Sequence, residues 1–215
     1  MKAPVTLVTT FGLGRTPAQV GMLEVVAQRG IRPDAVVGSS LGAVNAAGLA
    51  AGCHPAQLQE FWEWLLAEVM TSPVRTLAKG LSARQSRKQV EMVRSRVAAL
   101  LPARFDELSI PLRLVATDLE TGDDVVLDSG DLVEAVMASC ALPGLLPPVD
   151  LRGRHLIDGG LVAGMPLRAV PLPVVALVLV GFVVLITEFA SNMAAASGIM
   201  PVVGIPLPFI SYGGS

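Results

Sequence analysis

Gly38-Ser39-Ser40-Leu41-Gly42 fits the pattern G-x-S-x-G, the signature of a serine exposed on a sharp turn between a strand and a helix. The chemistry asks for both glycines, because side chains flanking such a turn would clash. The turn also places Ser40 at a helix N-terminus, where amides and the helix dipole favour developing negative charge. A nucleophilic serine needs a base, and the usual one would be histidine. The chain has two, His54 and His155. His54 lies about 20 Å from Ser40 along a straight helix. His155 could follow an acid in the order known from α/β-hydrolases, or be a partly exposed strand residue beside Arg154.

These residues must be carried by strands and helices. Val5 to Thr9 is a β-branched run that reads as a buried strand, and Pro17 to Gln28 reads as a helix with proline in its first turn. Ala35 to Val37 is a second strand, and Leu41 to Ala51 a helix of small residues ending at Gly52. This alternation predicts an α/β sheet with parallel strands. Residues 56 to 101 read as helical, Pro111 to Thr117 and Asp124 to Leu127 as strands, Leu132 to Ala141 as a helix, and Arg154 to Asp158 as a strand edge.

The ordered motifs resemble the patatin-like phospholipase family. Val37 to Ala43 looks like its elbow, and Ile157-Asp158-Gly159-Gly160 like its Asp-Gly-Gly motif. Ala116-Thr117-Asp118-Leu119 with Thr121-Gly122, and Ala138-Ser139 with Ala141-Leu142-Pro143-Gly144, match in order and spacing. The resemblance implies a three-layer α/β/α domain with a mainly parallel sheet and a Ser40–Asp158 dyad without histidine. It implies cleavage of lipid or acyl esters, with no metal or organic cofactor. It also assigns the oxyanion amides to Gly12, Leu13, Gly14 and Arg15, although Leu13 and Thr16 stand where the family generally has glycine. Gly164 replaces its usual asparagine. A catalytically impaired binding module is the alternative that these departures raise.

Composition supports one folded unit of ordinary size and excludes little else. The net charge of −2 gives no global reason to expect nucleic acid. Two histidines and no Cys/His cluster argue against zinc, and Cys53 and Cys140 read as buried thiols of a reducing, cytoplasmic compartment. Arg75, Lys79, Arg84, Arg87, Lys88, Arg94, Arg96 and Arg104 are opposed only by Glu91, and form either a membrane-facing surface or a solvated helical face.

All 16 Lys and Arg lie at or before Arg168, and beyond it the only charge is Glu188. The expected organisation is therefore a domain over 1–168 and an apolar appendage over 169–215. Ala169 to Ile186 is long enough to be considered as a membrane span, but Pro171 and Pro173 leave 174–186, which reads equally as a strand followed by a helix. Residues 187–194 resemble a motif of divalent-anion/sodium symporters. Met200 to Ser215 resembles a membrane segment of SEDS cell-wall glycosyltransferases. Such a mixture suggests a composite chain whose role could also lie in its tail.

Overall fold

The computed structural model describes residues 4–10, 16–70, 83–162, 166–171 and 175–179. The candidate oxyanion residues Gly12, Leu13, Gly14 and Arg15 lie outside the described residues, as do Gly164 and both membrane-protein-like stretches of the tail. In chain order the elements are β1 (Val5–Thr9), α1 (Pro17–Gln28), β2 (Ala35–Ser39), α2 (Gly42–Ala51) and α3 (Pro55–Leu65), which runs into a π turn at Leu66–Met70. Then come α4 (Ala83–Leu100), β3 (Leu112–Asp118), β4 (Asp124–Leu127), α5 (Leu132–Ser139), β5 (Val149–Leu151), β6 (Arg154–Asp158) and β7 (Val175–Leu179).

The fold is α/β, built among the described residues on a seven-stranded mixed sheet. β7, β1, β2 and β3 run parallel, as the strand–helix alternation predicts, β4 and β6 are added antiparallel to β3, and β5 antiparallel to β6. β7 pairs along β1 from Val5↔Val175 to Thr9↔Leu179, so the sheet extends past the change in composition at residue 169. The segment that could be read as span or strand thus contributes a strand. Among the described residues, no helix is long and apolar enough to cross a membrane.

Strand alternation sorts the sheet's side chains into two faces. Leu7, Val36, Leu112, Leu114 and Ala116 join one cluster with the buried sides of all five helices. Val8, Val37 and Val115 face the other way and pack on Ala169 and Val170. Several local signals fix the helices. Asp131 caps α5 through the Glu134 amide at 2.9 Å. His54 caps α3, accepting from the Ala56 amide at 3.2 Å, and so has a structural task remote from Ser40. Gly48 lets α2 pack against Leu58, which would lie 2.5 Å from any added Cβ.

Where the helices converge, a buried polar chain ties three of them together. Trp62 donates to Asn45 Oδ1 at 2.8 Å, and Asn45 Nδ2 donates to Gln19 Oε1 at 2.9 Å and to the Thr16 carbonyl at 3.1 Å. Gln19 Nε2 donates to the Thr10 carbonyl at 2.8 Å. The residues on either side of 11–15 are thereby anchored to α1, α2 and α3. Trp64 instead lies near the surface, with the Arg96 guanidinium 4.9 Å above its ring. On α4, Arg87 and Lys88 are exposed, while Val93 and Val97 turn inward.

The register of β3 decides where the site forms. β4 pairs with Leu114 to Thr117, β2 with Leu112 to Val115, and β6 with Ala116 to Asp118. A strand has two edges, and β4 overlaps both of the others, so β2 and β6 must share the remaining edge. They lie end to end along it and run in opposite directions. The last residue of β2, Ser39, pairs with Val115, and the last of β6, Asp158, pairs with Ala116.

Candidate active site

Ser40 is the residue at which the chain leaves β2, and Asp158 the one at which it leaves β6, so the two strands deliver them head-on to one spot. Ser40 Oγ donates to Asp158 Oδ2 at 2.7 Å. Both residues are buried, at 7% and 2% exposure, so the contact is largely shielded from water. The second carboxylate oxygen, Oδ1, accepts the Gly160 amide at 2.7 Å. Thr117 Oγ1 donates to the Asp158 carbonyl at 3.1 Å, fixing the end of β6.

The turn geometry accounts for the glycines. Ser40 has φ of +56°, a left-handed conformation that an L-residue adopts only when its surroundings hold it there. A Cβ on Gly38 would come within 2.6 Å of Ala46 Cβ and 2.9 Å of Ala43 Cα, so α2 packs directly over the elbow. A Cβ on Gly159 would stand 2.0 Å from the Val115 carbonyl oxygen, because the chain leaving β6 turns against β3 just where β2 ends. The Ala43 amide donates to the Ser40 carbonyl at 2.8 Å, which opens α2 on Ser40 itself.

The electrostatics suit proton transfer. Burial pushes the Asp158 carboxyl above the usual aspartate range, opposed by the hydrogen bonds from Ser40 and the Gly160 amide. Burial likewise raises the Cys140 thiol well above its ordinary value, with the Asp158 carboxylate adding to the effect. Cys140 is therefore a neutral S–H at ordinary pH, and it donates to the Ser40 carbonyl at 3.0 Å. Both cysteines are free thiols. His155 lies on β6 with its side chain half-exposed between Asp150 and Glu120, and it makes no hydrogen bond to Ser40. The described residues contain no cluster of three or more His, Cys, Asp or Glu side chains placed to hold a metal ion.

Ser40 and Asp158 open onto an apolar pocket of about 280 Å³. Its walls include Val44 of α2, Phe61 of α3, Val93 and Val97 of α4, and Val136 of α5. Apart from Ser40, Asp158 and Gln89, its lining is almost wholly apolar. The motif spacing pointed to Ser40, Asp158 and the four glycines 38, 42, 159 and 160. It did not reveal the pocket, which is assembled by apolar positions on four helices. Nor did it give a task to Ser139, Cys140 and Ala141, although they sit inside a matching motif.

The sequence model for the family described as Patatin-like phospholipase matches residues 12–171. A second, described as Cell cycle protein, matches residues 161–215. An uncharacterized NTE family protein of Mycobacterium tuberculosis is 33% identical over 169 residues, which is 77% of this chain and 45% of that protein. Patatin-like phospholipase domain-containing protein 7 of Rattus norvegicus is 31% identical over 166 residues, 75% of this chain and 12% of that one. This chain thus spans less than half the length of these relatives. Among solved structures, VipD from Legionella pneumophila superposes with a TM-score of 0.54 at 14% identity, over 91% of this chain and 54% of its own, a likeness of fold. The resemblance of the last 16 residues to SEDS proteins is in keeping with the Cell cycle protein match, while the symporter-like stretch gains no support from it.

Proposed function

This chain belongs to the patatin-like phospholipase family, and we propose from that footing that it hydrolyses lipid or acyl esters through a Ser40–Asp158 dyad. The observation that carries the reading is the 2.7 Å hydrogen bond from Ser40 Oγ to Asp158 Oδ2 in the lining of an apolar pocket. A carboxylate raised by burial is a better base than an exposed one, because it holds the proton more firmly once it has taken it.

In the proposed reaction the acyl chain lies between the helices, with its ester carbonyl over Ser40. Ser40 Oγ attacks the carbonyl carbon as its proton passes to Asp158 Oδ2. The tetrahedral oxyanion faces backbone amides, a task assigned to Gly12, Leu13, Gly14 and Arg15. Collapse breaks the bond to the leaving alcohol, which takes the proton from Asp158. Water then attacks the acyl-serine with Asp158 again as base, and the freed acid departs as Ser40 recovers its proton. No redox partner is required.

The test is hydrolysis of a short soluble ester, together with labelling of Ser40 by a fluorophosphonate. Ser40→Ala is expected to abolish both, and Asp158→Asn to slow turnover by several orders of magnitude. Unchanged activity in either variant rejects the dyad. A folded wild-type chain that neither turns over ester nor takes the probe supports instead a binding module of the same fold, a reading favoured by Leu13 and Thr16 standing where the family generally has glycine. The Cell cycle protein match over 161–215 favours a membrane-associated role for the tail. Carbonate-resistant membrane association that disappears on deleting 182–215 is the expected sign of it.

A further inference from the structure

The last rung of the β2–β3 ladder is made through a side chain. The Val36 amide donates to the Pro111 carbonyl at 2.9 Å. Along one strand of a parallel ladder such rungs recur at every second residue, and the repeat leads to the Ser40 amide and the Val115 carbonyl. Between those two groups stands Ser139 Oγ, at the C-terminal end of α5. It accepts from the Ser40 amide at 3.1 Å and donates to the Val115 carbonyl at 2.7 Å. Ser139 has no solvent exposure, so water does not compete for either bond.

We infer that Ser139 is a positioning residue for the nucleophile. Its hydroxyl is an inserted rung that holds Ser40 away from β3 while still tying it there, and the Ser139–Ala141 segment sets the separation between Ser40 and Asp158.

Three observations lead to this assignment, which rests on the hydrolase reading above. A direct rung would draw the Ser40 backbone into extended conformation, which is incompatible with its φ of +56°. A hydroxyl can accept and donate at once, so it can satisfy both orphaned backbone groups across the wider gap, and alanine cannot. The same three residues also hold the partner strand. The Ala141 carbonyl accepts the Asp158 amide at 3.0 Å, and the Ser139 carbonyl accepts the Gly159 amide at 3.3 Å. Cys140 Sγ–H, between them, donates to the Ser40 carbonyl at 3.0 Å. Side chains of this segment grip the nucleophile, its main chain grips the base, and the dyad distance follows from their fixed spacing.

The experiment compares wild type, Ser139→Ala and Ser139→Thr, with the folded fraction checked by near-ultraviolet circular dichroism. It measures kcat and KM on a short soluble ester, and the Asp158 carboxyl by carbon-13 NMR titration. The Ser40 hydrogen bond lowers the Asp158 pKa, so loosening it moves that pKa upward and carries the acid limb of kcat with it. Other groups facing Asp158 are left in place by the substitution. Among the described residues they are the Cys140 thiol, which feels the Asp158 charge, and, two residues along the β3–β6 ladder, the Asp118–Arg154 pair. α3 and α4 contribute apolar Phe61 and Val93 to the pocket that Asp158 also lines.

Ser139→Ala is expected to lower kcat at least tenfold with KM within twofold, and to raise the Asp158 pKa. Ser139→Thr, which keeps the hydroxyl, is expected to recover most of both. A folded Ser139→Ala protein with wild-type kcat and an unmoved Asp158 titration overturns the assignment. If Ser139→Ala does not fold, Ser139→Thr and Cys140→Ala carry the test. A wild-type Asp158 titration in Cys140→Ala, with unchanged kcat, then counts against the clamp. The NMR arm needs no turnover. An inert wild-type chain whose Asp158 pKa still rises in Ser139→Ala defeats the hydrolase reading and leaves the clamp standing.

Discussion

Gly42 is the position where a single methyl group tests whether the elbow is held rigidly. It is the first residue of α2, two after Ser40, and a Cβ built on it would lie 2.5 Å from the Thr10 carbonyl oxygen and 2.8 Å from Thr10 C and N. These are main-chain atoms at the end of β1, themselves anchored by Gln19, so they cannot rotate aside as a flexible side chain would. Restoring an ordinary 3.4 Å contact requires about 0.9 Å of retreat. Overpacking of this kind costs about 1–3 kcal/mol, roughly 2–12 °C in Tm for a domain of this size. A displacement near 1 Å at a reacting group costs about 10²-fold in rate. Gly42→Ala is therefore expected to lower Tm and to slow fluorophosphonate labelling of Ser40 by one to two orders of magnitude. Gly21→Ala is the control: it sits on α1 with nothing within 4 Å of its new Cβ, and should gain roughly 0.5–1 kcal/mol. Wild-type Tm and labelling in Gly42→Ala would refute the contact. A lowered Tm with undiminished labelling would refute the coupling between α2 and the nucleophile.

Asp158→Asn tests the cost of burying this carboxyl. The folded pKa is raised above the unfolded value, so the stability this residue contributes is present at low pH and lost as pH rises through the folded pKa. The variant should match or exceed the wild-type Tm at pH 7 while losing hydrolysis, and the gap should close below the ordinary aspartate pKa of about 3.9. A Tm at pH 7 well below wild type speaks against that account. Trp62→Phe removes the donor to Asn45 Oδ1 and leaves a buried acceptor unpaired, at about 1–3 kcal/mol by urea unfolding. A smaller loss means the chain from Trp62 to Thr10 reorganises. Val136→Phe fills part of the pocket wall and should shift ester preference toward shorter acyl chains, read as kcat/KM across a chain-length series. An unchanged series would place the acyl chain elsewhere.

The parts of the fold legible in the sequence are those written locally. Val5–Thr9, Pro17–Gln28, Asp124–Leu127 and Arg154–Asp158 carry their own local signals, from β-branched runs to a first-turn proline and flanking glycines, and they form where the pattern places them. β2 runs two residues beyond Val37, because Gly38 and Ser39 pair with Leu114 and Val115 despite weak strand preference. β5 has only Val149-Asp150-Leu151, too short to show alternation, and exists because β6 supplies its partner. At the site, Ser40 announces itself through flanking glycines. The roles of Ser139 and Cys140 depend on contacts about 100 residues away, which no local pattern encodes. Gln19 and Asn45 look like ordinary polar helix residues until their neighbours are known.

The head-on meeting of β2 and β6 also bears on how the chain matures. Ser40 acquires its partner from 118 residues downstream, and contacts of such long sequence separation form slowly because loop closure precedes any gain from them. A polypeptide emerging from the ribosome can therefore complete the first β-α-β-α segment while Ser40 still lacks its Asp158 partner. Reactivity should arrive only when the β6 hairpin docks on β3. In refolding, the regain of probe labelling should lag behind the regain of helical signal, so that Ser40 reports on the docking of β6.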